Sequence, residues 1–366
     1  MLDFRAMDYT ARQKQIEHGL DDHGLDALLV THLPNIRYLC GFSGSAGVFL
    51  VTGSKSLFFG DGRYAEQARA EVRGATVVIS HKAPLVAAGE WLATKGHKIK
   101  ALGIEHEHLS VADRHQLAKT VRPGRRVREA PPLIEHARMV KDPEELESMR
   151  TAARLAAHLF EVALKIIRPG IKEVEVAAEM EYAARKAGAE GMSFDTIIAA
   201  GERSALPHGR ASSALIPAQG FVVCDFGVIL AGYCSDMTRT VHVGTPSAKA
   251  RHIYSAVREA QQAAVEAVRP GVMIERVHAA ARKLLNRQKL VQYFKHSTGH
   301  GVGLEIHEAP RIAAGQRELL EAGMVITIEP GVYVPGFGGV RIEDMVAVTS
   351  EECEVLTPTS KELIEI

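Results

Sequence analysis

The segment from Phe221 to Val243, FVVCDFGVILAGYCSDMTRTVHV, sets two aspartates, Asp225 and Asp236, in two runs of β-branched and aromatic residues around a turn at Leu230-Ala231-Gly232. A hairpin symmetric about Leu230/Ala231 would place these carboxylates opposite each other, with Met237 facing Cys224 and Gly227 facing Cys234. Like charges opposed across a sheet destabilise it, and half-buried carboxylates are costly unless a positive charge lies between them. A metal cation removes both penalties; two aspartates facing water from an edge strand would not need one. A second pair tips the balance. Glu329 and Glu343 flank the turn Pro335-Gly-Phe-Gly-Gly339 between two apolar runs, and a turn centred on Gly336 would set them opposite as well. Four carboxylates brought together without a counter-charge cannot all stay ionised, so a metal site is the favoured reading.

Between the pairs lies His296-Ser-Thr-Gly-His300-Gly-Val-Gly-Leu-Glu-Ile-His307-Glu308. Glycines at 299, 301 and 303 argue for strand or loop rather than the helix of an HExxH zinc site. An imidazole with four carboxylates suits two hard or borderline divalent ions (Mn, Co, Zn or Fe(II)) rather than a thiolate-rich centre. Two ions roughly 3.5–4 Å apart can activate water and polarise a carbonyl together. The implied chemistry is metal-assisted hydrolysis.

The elements that must position these groups fall in two repeated halves. Arg168-Pro-Gly170 closes a predicted helix that starts at Asp142-Pro143, with Asp142 as N-cap, and runs to about Ile167. Its expected buried face carries Leu146, Met149, Ala153, Ala156, Phe160, Ala163 and Ile167. Arg269-Pro-Gly271 closes a second helix, Arg251 to Val268, and each triplet precedes an Ala-rich amphipathic segment, Val174 to Lys186 and Ile274 to Leu285. Each half thus ends in a carboxylate-bearing hairpin, and a pseudo-twofold would bring the four carboxylates together. Residues 1–134 form a separate α/β unit in which short apolar strands alternate with helices, implying a parallel or mixed sheet. Arg122 to Pro132, rich in Pro, Gly and charge, is the linker candidate, so the second domain spans 135–366. Gly41 to Gly47 lacks the Lys-Ser/Thr of a phosphate loop and reads as a structural turn.

Composition narrows the class. Lys+Arg and Asp+Glu are equal at 44 each in 366 residues, which gives no global field for nucleic acid or an anionic membrane. No apolar run approaches the roughly 20 residues of a membrane span, and the polar start MLDFRAMDYTARQKQ has no signal-peptide core. Four cysteines without CxxC spacing suggest no disulfide framework, and a reducing cytoplasm is the expected location.

The ordered set Asp225, Asp236, His300, Glu329, Glu343 resembles the ligand signature of the pita-bread metallopeptidases, the fold of methionine aminopeptidase, aminopeptidase P and prolidase. Thr327-Ile-Glu-Pro-Gly331 and Gly339-Val-Arg-Ile-Glu-Asp344 are similar to the proline-peptidase versions of the two glutamate motifs, and the first 134 residues resemble the creatinase-type N-terminal domain. The resemblance implies that Asp225 holds one metal ion, that Asp236 and Glu343 bridge two, and that His300 and Glu329 complete the other. Glu329 is then also the general base toward water. His208, in Leu206-Pro-His-Gly209, and His307 match histidines that hydrogen-bond substrate and intermediate; His296 matches one lining the pocket, and Tyr333 is a further candidate for contact with the site, with strand packing as its alternative. Arg341 is expected to pair with a ligand carboxylate and fix its orientation. Manganese is the favoured ion, peptides with proline second the substrates, and a homodimer the assembly. Gly41–Gly47 followed by Asp61-Gly-Arg-Tyr64 looks more like aminopeptidase P than like short microbial prolidases, so Xaa-Pro aminopeptidase is the expected activity, with Xaa-Pro dipeptidase as the alternative. A metal-free binding scaffold on this fold is the remote alternative, since such relatives lose ligands that this chain keeps.

Overall fold

The computed structural model describes residues 7–121 and 125–366, and its contacts divide into two compact units that part between Arg138 and Met139. Arg122-Pro-Gly124 of the linker candidate lies outside the described residues.

The first unit is a six-stranded mixed sheet in the order Ala75–Ser80, Lys55–Asp61, Val48–Thr52, Ala27–Val30, Ala101–Ile104, Arg126–Glu129. Val48–Thr52 pairs antiparallel on both sides, and the flanking pairings are parallel. Leu29, Leu50, Phe59 and Leu102 share one core with Ala88, Leu92 and Leu117 of two covering helices, Pro84–Thr94 and Val111–Thr120. The strand Arg126–Glu129 falls inside the linker candidate. An edge strand reading RVRE carries no apolar alternation, and charge is what sheet edges tolerate. The linker reading is corrected there.

In the second unit Asp142 caps the helix Pro143–Ile166, with Glu145 completing a capping box. The helix pairs Pro143–Ile166/Glu173–Lys186 and Ala248–Glu266/Ile274–Arg287 repeat the same turn. The Gly170 N–H donates to the Ile216 carbonyl at 2.9 Å and that of Gly271 to Leu320 at 2.7 Å; bridges Lys172↔Leu215 and Met273↔Leu319 follow each. Each half packs its own core, Ala156, Phe160, Val176 and Val222 in one, Val257, Val277, Ile326 and Val346 in the other. Their sheets are Ile197–Ala200/Gly220–Phe226/Met237–Val243 and a five-stranded sheet containing Gly299–Gly301, Val325–Ile328 and Asp344–Val348.

The two hairpins differ in how well symmetry describes them. In the second, Ile328 pairs with Asp344 and Gly331 with Arg341, so Glu329 and Glu343 lie opposite each other across a turn centred on Gly336, as expected. In the first, Asp225 faces Thr238 and Cys224 faces Arg239, while Cys234 faces Ile229. The expected Asp225–Asp236 register is therefore off by two positions. The turn is Ala231-Gly232, both left-handed with φ 51° and 87°, closed by the Leu230↔Tyr233 pair. A two-residue turn with both central residues left-handed matches strand twist, but Ala-Gly announces it less clearly than Asn-Gly. A shift of two residues keeps every side chain on its face, so both aspartates still point to one side.

Candidate active site

A cleft of about 730 Å³ in the second unit is lined by nine of the ten expected site residues: Asp225, Asp236, Glu329, Glu343, His208, His296, His300, His307 and Arg341. Tyr333 lies just behind it, within 3.0 Å of His296 Nε2.

His300 sits mid-strand between Gly299 and Gly301. A Cβ at 299 would lie 1.8 Å from the Thr327 carbonyl oxygen, and one at 301 would lie 2.1 Å from that of Ala309. Only glycines let this strand pass between its two neighbours, and the histidine between them is aimed at the carboxylates. Its Nδ1 faces the Gly301 carbonyl at 3.0 Å, so the proton belongs there and the Nε2 lone pair points outward. That lone pair lies 3.6 Å from Asp236 Oδ2 and 3.5 Å from Glu329 Oε1. Burial holds His300 down to about 4, so it is a neutral imidazole. A lone pair aimed at two carboxylate oxygens is repulsive unless a cation lies between them.

The carboxylates carry the same message. One ligand atom from each of Asp236, His300 and Glu343 falls within 4.8 Å of the others. Asp225 Oδ1 and Asp236 Oδ1 are buried with no hydrogen-bond partner. Burial, and after it the carboxylate of Glu343, pushes Asp236 well above the usual range; burial and Glu329 do the same to Glu343. Glu329 is pushed up to about 7, mainly by burial. Buried, mutually repelling oxygens with free lone pairs beside a neutral imidazole fit hard or borderline divalent ions. The residues fit the group that the sequence implied.

This sets a pH dependence for the metal-free protein. Carboxylates whose folded pKa is raised stabilise fully below the unfolded value and lose that contribution as pH rises through the folded one. The neutral His296 and His300 act oppositely, but only below about 6.5, where the unfolded histidines begin to charge. Lowering the pH from about 8.5 to about 7 should therefore raise the melting temperature of chelated protein by a few degrees. Saturating Mn should abolish that slope and, at a hundredfold excess over Kd, add about 2.7 kcal/mol. Scanning calorimetry at both pH values, with and without Mn, checks this. A flat, Mn-insensitive melting temperature would refute it.

Arg341, almost wholly buried, organises the back wall. Its Nη2 donates to Asp225 Oδ2, its Nε to Thr238 Oγ1 at 3.0 Å, and its Nη1 to the Pro207 carbonyl at 3.0 Å and the Tyr333 hydroxyl at 2.7 Å. With Arg341 as donor, the Tyr333 hydroxyl gives its own proton to His296 Nε2, and His296 Nδ1 donates to the Ser297 carbonyl at 2.8 Å. Burial holds His296 at about 4 and raises Tyr333 to about 12, so both stay neutral. His208 and His307 are exposed on the cleft walls, and the His307 ring meets His300 edge-on at 4.4 Å.

Several contributors escaped the sequence reading. Glu173, fully buried, accepts hydrogen bonds from Ala200 N, Arg203 Nε and Ser212 N and Oγ, clipping both ends of the loop that carries His208. Lys141 pairs with Glu308 at 3.3 Å, both side chains buried, beside His307. Arg311, opposite His300 in the ladder, reaches the cleft. An acidic residue in a helix's first turn, a basic residue before an N-cap and an arginine on a strand each have an ordinary reading in one sequence, so nothing marked them.

Comparison with known proteins matches both parts of the chain. Residues 147–350 match the model of metallopeptidase family M24, and residues 12–140 match the creatinase/prolidase N-terminal domain. Among solved structures, an Xaa-Pro dipeptidase from Bacillus anthracis is 40% identical, with a TM-score of 0.94 over 98% of this chain and 100% of that one. The prolidase of Pyrococcus horikoshii is 38% identical, with a TM-score of 0.92 over 97% and 100%. An X-Pro aminopeptidase from Thermotoga maritima is 33% identical, with a TM-score of 0.88 over 97% and 100%. No helix among the described residues is long and apolar enough to cross a membrane. With the creatinase-type domain ahead of a pseudo-twofold pita-bread domain and the carboxylate–histidine cleft inside it, the chain belongs to metallopeptidase family M24.

Proposed function

We propose that this protein is a divalent-metal-dependent peptidase that cleaves Xaa-Pro bonds and that dipeptides are its preferred substrates. Asp225, Asp236, His300, Glu329 and Glu343 would hold two ions, with manganese the first to test. When bound, the ions supply Lewis acidity toward water and toward the scissile carbonyl. Glu329, raised to about 7, is suited to take a proton from the attacking water at a carboxylate oxygen and pass it to the departing amine. An Xaa-Pro bond is a tertiary amide without N–H, so the site need offer it no acceptor, and the leaving proline nitrogen must be protonated. His208 and His307, both lining the cleft, are candidates to donate hydrogen bonds to the carbonyl oxygen. Since Tyr333 engages His296 Nε2, His296 offers the pocket its ring rather than a free nitrogen. Phe194, Pro207 and Ile306 extend that apolar lining for a pyrrolidine ring.

The observation that carries the dipeptide preference is Arg311. Arg311 lines the cleft directly across the ladder from His300, and its guanidinium has no hydrogen-bond or ion-pair partner among the described residues. The other exposed arginine of the cleft, Arg210, is paired with Asp195 at 3.0 Å. An unpaired guanidinium near the scissile bond is matched by the free carboxylate that a dipeptide carries on its proline and a longer peptide does not. The relatives of higher identity above are a dipeptidase and a prolidase. The aminopeptidase expectation rested on Gly41–Gly47 and Asp61–Tyr64, which belong to the first unit, whereas Arg311 lines the pocket itself. These two observations, Arg311 and the relatives, support the dipeptidase reading over the aminopeptidase one.

The test is hydrolysis by Mn-loaded enzyme of an Xaa-Pro dipeptide beside an Xaa-Pro-Yaa tripeptide. The dipeptide should be cut with the higher kcat/KM. Arg311→Met should raise KM for the dipeptide about 10- to 100-fold, the loss of one charge-assisted hydrogen bond, with kcat and tripeptide cleavage little changed. Faster cleavage of the tripeptide would restore the aminopeptidase reading.

A further inference from the structure

Thr238 is the residue that Asp225 faces across the ladder, and it is fully buried. Its hydroxyl lies 2.7 Å from Glu343 Oε2 and 3.0 Å from Arg341 Nε. The arginine nitrogen can only donate, so the hydroxyl accepts from it and spends its single proton on Glu343. The backbone reinforces this link, because the Glu343 N–H donates to the Thr238 carbonyl at 3.1 Å. Thr238 therefore stands between two arms. Through Arg341 it reaches Asp225, whose Oδ2 is held by the guanidinium; directly it reaches Glu343, whose Oε2 it holds itself. Asp225 belongs to the first hairpin and Glu343 to the second, so one hydroxyl ties the two halves of the domain at the cleft.

Each arm leaves one carboxylate oxygen uncommitted. Asp225 Oδ1 is buried without a partner, and Oε2 is the Glu343 oxygen that the hydroxyl occupies. We propose that Thr238 is a positioning residue for the cation site: by engaging one oxygen of Glu343 and the Nε of Arg341 together, its hydroxyl fixes which carboxylate oxygens from the two halves converge to bind divalent ions. The inference rests on the reading that these carboxylates hold divalent ions. Groups that hydrogen-bond to ligating carboxylates typically tune metal affinity 10- to 100-fold.

The experiment is calorimetric titration of chelated protein with Mn, together with the visible absorption spectrum of the Co(II)-loaded form. Thr238→Val keeps the shape and removes the hydroxyl; Thr238→Ser keeps the hydroxyl and removes the methyl. Val should weaken at least one of two Mn affinities about 10- to 100-fold and alter the Co(II) bands, while Ser stays within about threefold of wild type on both readouts. If the valine variant does not fold, Thr238→Ala carries the same comparison against serine. A valine variant with wild-type Mn affinities and Co(II) spectrum would overturn the proposal. So would a serine variant as impaired as valine, since the methyl would then be what matters. Wild-type protein that binds no Mn would overturn the metal reading itself, and this proposal with it.

Discussion

Replacing Glu329 with glutamine is expected to lower kcat on an Xaa-Pro dipeptide by about 10³-fold or more, within the range that general acid–base groups supply. Glutamine keeps the shape of the side chain and its place in the second hairpin, where the Glu329 N–H donates to the Thr298 carbonyl at 2.7 Å. It cannot take a proton at an oxygen, and its amide nitrogen would present a donor where a cation needs an acceptor. The same substitution should make the metal-free protein more stable. It removes one of four mutually repelling carboxylates, and with it part of what pushes Glu343 up. Activity and stability then move in opposite directions, as expected where strain is stored for function. Steady-state kinetics with Mn in excess, alongside calorimetry of the chelated proteins, reads both. A variant within tenfold of wild-type kcat would remove Glu329 from the base role. A fall in kcat with unchanged metal stoichiometry would assign Glu329 to proton transfer more than to holding the ion.

How much of this site could be read from the chain follows from which constraints are local. Glu329 and Glu343 flank a glycine-rich turn, so their register was set by residues between them, and the ladder has it as expected. The hairpin between Asp225 and Asp236 turns at Leu230-Ala-Gly-Tyr233, where the left-handed pair could begin at either of two positions; a turn centred one residue earlier displaces the partner by two residues. The face survived because two is the strand period. The paired helices announced themselves through repeated Arg-Pro-Gly stops, and the Glu173–Lys186 and Ile274–Arg287 segments lie where the amphipathic pattern put them. What stayed hidden was tertiary. Thr238 and Glu173 look like an ordinary strand threonine and an ordinary first-turn glutamate until hydrogen bonds spanning dozens of residues are drawn. The strand Arg126–Glu129 was missed for the opposite reason, because its charge is compatible with loop and edge alike.

Arg341→Met tests the electrostatic frame rather than the chemistry, and its effect on stability should be the largest of any single change in the cleft. Methionine roughly fills the space but leaves Asp225 Oδ2, the Pro207 carbonyl and the Tyr333 hydroxyl without the donor each now has. Removing one partner of a buried ion pair typically costs 3–5 kcal/mol, much of it from the charge left behind. That is a large share of the roughly 5–15 kcal/mol by which domains are stable. The loss should be greater near pH 8.5 than near pH 7, since protonation relieves the abandoned carboxylates. Mn should recover part of it, because an ion among the carboxylates supplies the positive charge that the guanidinium no longer does. Arg341→Lys should recover little: an ammonium is a point charge and cannot reach Asp225, Thr238, Pro207 and Tyr333 together as the planar fork does. Denaturant unfolding of the chelated and Mn-loaded proteins gives these differences directly. If the methionine variant unfolds within about 1 kcal/mol of wild type at both pH values, the carboxylates do not depend on Arg341. The four would then have to be held apart by their own protons, and the pH slope of the metal-free wild type should be correspondingly steep.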